Sequence, residues 1–183
     1  VVATPAVRRA LWGGAAGTAA VLIAALALHG QRPEPGLVRF EPAGLMLHLP
    51  PERVAEVEVT AGAVWRRFVR TGPGAWAADG SAAAPPAGFS AALERALHLL
   101  NVSAPQRILE EAEIRGVPAA DYGLDPPRLV VRVRAMSGER FTIAFGGLNH
   151  QALAQYVRVA SRADVALLPR FVGEAWEAAA GMR

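Results

Sequence analysis

The run from Ala10 to Leu28, ALWGGAAGTAAVLIAALAL, carries no charged residue and constrains this chain more than any other segment. As a helix these residues would extend about 28 Å, close to the roughly 30 Å hydrocarbon core of a bilayer. Trp12 falls near the first interface, where amphipathic aromatics are favoured. Arg8 and Arg9 precede the run and His29 follows it. That asymmetry puts the N-terminus in the cytoplasm, although Arg32 and Arg39 lie a short way past the other end. A cleavable signal peptide is a competing reading, with Ala25-Leu26-Ala27 as its small-residue site. A buried helix of a soluble protein is another, but the run is uncharged all round and leads into a proline-rich stretch. The segment is therefore read as a retained single-pass helix.

Small residues recur along it. Gly13 and Gly17 form G-x-x-x-G, and Ala10, Ala20 and Ala24 continue the series. Such spacing lets a second helix approach closely and gain van der Waals contact. Gly13, Gly17, Ala20 and Ala24 are the expected helix-packing residues. The resulting division is a cytoplasmic tail over 1–9, a transmembrane helix over 10–29, a proline-rich linker over 30–51 and a periplasmic domain over 52–183. The expected location is the bacterial inner membrane.

The remaining length suits one modest domain. A net charge of +3 invites a nucleic-acid reading, but position removes it. Once Arg8 and Arg9 are set aside, residues 31–183 hold 17 arginines against 16 acids. That balance is not the basic footprint of a nucleic-acid binder. With no cysteine, the chain has no disulfide framework, thiol catalysis or thiolate metal site.

Beyond the linker the pattern turns to period two. In VAEVEVT, Glu56 and Glu58 alternate with Val57 and Val59. Ala63–Arg70 and Ala75–Ala78 read as further strands, separated by the turn residues of TGPG. A helix is expected from about Ser90 to Leu100, with Phe89, Leu93, Leu97 and Leu100 as its apolar stripe and Ser90 as its N-cap. Arg128–Arg134, Arg140–Phe145, Tyr156–Ala160 and Val165–Leu168 give four more strands. Pro169 then opens a last helix carrying Phe171, Ala175 and Trp176. The order β-β-β-α-β-β-β-β-α predicts an α+β fold, an antiparallel sheet with its two helices on one face.

Asp121-Tyr122-Gly123-Leu124-Asp125-Pro126-Pro127 is the most distinctive segment. A valine-rich strand follows it, then a strand ending in Phe145-Gly146, then Tyr156-Val157-Arg158. Over roughly residues 52–178 this order resembles the bacterial family catalogued as domain of unknown function 4340. The resemblance implies a domain behind an N-terminal anchor, in some cases beside ABC-transporter or gliding-motility components, and it carries over no catalytic residues. Chemically the segment is a corner: Gly123 permits a positive φ, Asp125 can bond nearby amides, and two prolines stiffen the exit.

Catalytic patterns are sparse. His29, His48, His98 and His150 show no ligand spacing, and there is no GxSxG, P-loop or GxGxxG leading into a helix. Glu110, Glu111 and Glu113 read as a solvated face, and Gly146-Gly147 as a turn. In Arg128–Arg134, Leu129, Val131 and Val133 point one way, while Arg132 and Arg134 point the other with Val130. With Arg140 they form an arginine-bearing sheet face suited to an acidic protein patch or anionic lipid. Trp12, Arg132, Arg134, Arg140 and His150 are the expected partner or lipid contacts. The chain is read as a non-enzymatic accessory or scaffold subunit, without cofactor, on the periplasmic side of a larger membrane complex. An auxiliary component of an ABC-type transporter or motility system, and a periplasmic ligand-binding module, are the alternatives.

Overall fold

The computed structural model describes residues 17–25, 44–45, 49–79 and 87–181, and the chain divides into two units, Val1–Phe40 and Glu41–Arg183. In the first unit, residues 17–25 form a helix (α1) whose residues are exposed, Val21, Leu22 and Ile23 among them. Nine helical residues extend about 14 Å, less than half a bilayer core. Among the described residues no helix is long and apolar enough to cross a membrane. The flanks of the expected span, 10–16 and 26–29, lie outside the described residues, as does most of the linker.

The second unit is α+β. After a 3-10 turn at Pro51–Arg53 come β1 (Val54–Ala61), β2 (Val64–Gly72) and β3 (Ala75–Asp79), then helix α2 (Phe89–Val102). A short β4 (Arg107–Leu109) and a one-turn α3 (Glu111–Ile114) precede β5 (Leu129–Ala135), β6 (Arg140–Leu148), β7 (Ala154–Val159) and β8 (Val165–Pro169). Helix α4 (Arg170–Ala179) closes the order. All eight strands join one antiparallel sheet, ordered β3-β2-β1-β5-β6-β7-β8-β4. Within it, β1 and β5 are direct neighbours although far apart in sequence.

Alternation along the strands builds the core. Val57, Val59, Phe68, Val131, Val133, Ile143, Phe145 and Val157 turn one way and are buried. They meet Leu93, Leu97 and Leu100 of α2 and Val172, Trp176 and Ala179 of α4 in a single cluster. Phe68 and Phe89 stack with centroids 5.5 Å apart. Each large side chain so buried contributes about 1.5–3 kcal/mol relative to exposure. Leu49 joins this core and Leu45 packs against it, so the domain takes in the end of the stretch read as linker.

Arg70 ties the sheet to α2. Its Nε donates to the Val54 carbonyl at 2.7 Å and its Nη2 to the Pro51 carbonyl at 2.6 Å. Nη1 pairs with Glu94 at 2.6 Å, and the guanidinium lies 4.2 Å from the centre of the Trp76 ring. The Trp76 indole N–H donates to the same Glu94 carboxylate at 2.8 Å.

Several local expectations change. Helix α2 starts at Phe89 behind Gly88, and Ser90 does not cap it. Instead the Ser90 hydroxyl accepts the Trp76 backbone N–H at 3.3 Å, occupying part of the outer edge of β3. Pro169 ends β8 and precedes the first helical residue instead of being it. Glu110 and Glu113 form a reciprocal capping box on α3, the Glu113 carboxylate accepting the Glu110 N–H at 3.1 Å. Three residues are too few for a periodicity to register, which is why β4 is absent from the expected strand order. Gly146 and Gly147 belong to β6, at a bulge between Phe145 and Leu148.

That bulge explains the Tyr-Gly-Leu-Asp-Pro corner. Gly123 has φ +64°, and a Cβ there would come within 2.5 Å of the Gly147 nitrogen. A Cβ on Gly146 would lie 2.3 Å from the Tyr122 carbonyl oxygen. Backbone meets backbone only because both positions are glycine. Tyr122 then contacts Tyr156 edge-on at 5.0 Å, so the corner covers the β7 part of the face the helices leave open.

Candidate docking face

What remains open on that face is the stretch spanned by β2, β1, β5 and β6. Cross-strand register aligns its side chains. Arg67 of β2, Glu58 of β1, Arg132 of β5 and Thr142 of β6 form one row. Glu56, Arg134 and Arg140 form the next. Together they line a concavity of about 410 Å³.

Glu56 is the centre of its charge network. It is 7% exposed, and its Oε1 accepts from Arg67 Nε at 2.6 Å. Its Oε2 accepts from Arg134 Nε at 3.0 Å and also from Arg134 Nη2. The hydrogen bond from Arg67, helped by Arg134, outweighs burial and lowers the Glu56 pKa to about 2. Arg67 reaches on to Asp79 at 3.3 Å. Arg132 stands 3.8 Å from Glu58, a loose pairing on an exposed side chain. Arg140 is exposed and has no ion-pair partner among the described residues. The floor is thus internally neutralised, while the β5–β6 side keeps spare positive charge.

Three of the residues singled out from sequence, Arg132, Arg134 and Arg140, therefore share one site. His150 is exposed in the β6–β7 connection and does not line it. Trp12 and Gly13 lie outside the described residues; Gly17, Ala20 and Ala24 are exposed on α1. Glu56, Glu58, Arg67 and Thr142 complete the site and were not singled out for it. The period-two pattern of Glu56 and Glu58 was visible, but their arginine partners are set by strand register.

A second concavity, about 590 Å³, runs between α2 and α4, lined by Ala92, Leu99, Phe171 and Ala175 with Arg95 and Glu174 at its rim. Among the described residues no group of three or more His, Asp or Glu could hold a metal ion. Comparison with protein families, curated proteins and solved structures yields no match for this chain.

Proposed function

We propose that the chain is a non-enzymatic accessory subunit of a larger membrane complex, held by its N-terminal apolar segment and docking through the arginine face. One observation carries this reading: a concave sheet face, left open by both helices, holds four arginines around one buried carboxylate. Glu56 keeps two of them, Arg67 and Arg134, in place before any partner arrives, which lowers the ordering cost of association. Spare charge on Arg132 and Arg140 favours an acidic surface. A flat bilayer would not enter the cup, so an acidic protein segment suits it better than lipid headgroups. The charge-free run from Ala10 to Leu28 supports membrane attachment, and the Gly13/Gly17 spacing supports a helix partner.

Mild-detergent purification of the full chain from its native membranes tests this. The expected result is a defined set of co-purifying chains that is lost when Arg132 and Arg140 are both changed to Glu. Recovery of monomer alone would contradict it.

A ligand-binding module is the second reading, favoured by the size of the cup, which falls within the range of small-molecule sites. Saturable binding of a small organic anion, with no partner chain, would support that reading instead.

A further inference from the structure

The arginines of the docking face are not equivalent, and the difference assigns their roles. Arg134 and Arg67 spend their hydrogen bonds on Glu56, so they form the frame. Arg132 has only the 3.8 Å approach to Glu58, and Arg140 has no ion-pair partner among the described residues. Thr142 lies directly opposite Arg132 and two residues along β6 from Arg140, on the same face. Cross-strand and diagonal neighbours of this kind have Cβ atoms roughly 5–8 Å apart, within reach of two long guanidinium side chains and a hydroxyl.

We propose that Arg132, Arg140 and Thr142 form a carboxylate clamp that receives an Asp or Glu side chain of an acidic peptide segment on the partner. The proposal rests on the accessory reading above and names the recognition element of its docking face. Each arginine offers a planar fork of N–H donors, suited to bidentate contact with a carboxylate, and the Thr142 hydroxyl supplies a third donor. The floor sets the depth. Arg67 and Arg134 are already engaged by Glu56 there, so the incoming group stays at the β5–β6 rim, where the charge is uncompensated.

Isothermal titration of the detergent-solubilised full chain with a hexaglutamate peptide tests the clamp, with inorganic phosphate and hexalysine as comparison ligands. Hexaglutamate is expected to bind saturably, and both Arg132→Ala and Arg140→Ala to weaken it about tenfold, the loss of one charge-assisted contact. Arg95→Ala, which removes the same charge from the α2 surface, should leave the affinity unchanged. Thr142→Val should weaken it by less than either arginine change. Circular dichroism of each variant confirms that it is folded.

Equal weakening by Arg95→Ala would overturn the clamp, since the binding would then follow net charge alone. Phosphate binding as tight as hexaglutamate would also overturn it, in favour of a free-anion site. Absence of hexaglutamate binding would remove the clamp while leaving the accessory reading to be judged by native co-purification, which does not depend on this peptide.

Discussion

Val131 and Arg132 are neighbours on β5, yet they belong to opposite faces of the sheet with opposite physical tasks. Val131 is fully buried beneath the helices, and Arg132 is exposed in the cup. The helix-covered face gains stability from apolar area removed from water, a non-directional term that tolerates volume-conserving exchange. The open face gains order from directed contacts: one carboxylate held by two guanidinium groups, with a third and fourth arginine left less engaged. The first face accounts for the fold. The second accounts for what the fold presents.

This comparison can be broken most severely on the apolar side. Val131→Asp buries a charge without a partner and should abolish cooperative unfolding, whereas Arg132→Asp, one residue away, should leave the domain folded; thermal unfolding of the two variants reads the contrast. Phe68→Ala should cost about 3–5 kcal/mol, because it removes a fully buried ring between β2 and α2. Urea unfolding checks it, and a loss below about 1 kcal/mol would mean that this side of the core is not packed as described.

The open face should respond more weakly and with a pH signature. Glu56→Gln leaves Arg67 and Arg134 facing a neutral amide and should cost about 1–3 kcal/mol at neutral pH. The folded pKa of Glu56, about 2, lies below the ordinary value of 4.5, so its stabilisation is fully present above pH 4.5 and is lost as pH falls toward 2. Unfolding free energy measured across that window should fall less steeply in Glu56→Gln than in the unaltered chain. Equal slopes would mean that Glu56 is not the linked group. The smallest effect belongs to Arg140→Ala, within about 0.5 kcal/mol, since nothing in the fold leans on that side chain.

The same comparison explains what could be read from the sequence. Period-two alternation in VAEVEVT and RLVVRVR identified both strands and their buried sides, because alternation is a local property. It places Arg132 and Arg134 on one face but cannot supply Glu56 as the partner of Arg134. That contact spans 78 residues and exists only because β1 pairs with β5 in one register. The Tyr-Gly-Leu-Asp-Pro corner could be recognised as a turn, while its fit against Gly146-Gly147 depended on where β6 ends. Ser90 departs from the capping expectation for a related reason: its hydroxyl serves a strand edge brought beside it by the fold instead of the helix it lies in. The docking role of the arginine face and the membrane role of the apolar run are both open to direct tests.

The most direct of them is site-specific photo-crosslinking in intact native membranes, with the crosslinking residue placed at Thr142 in the cup or at Phe171 in the helix groove. Adducts from position 142 to another chain, mapping to a segment containing Asp or Glu, are the predicted result. Adducts arising only from position 171 would contradict the account, because they would assign partner binding to the helix side of the sheet and leave the arginine face to solvent.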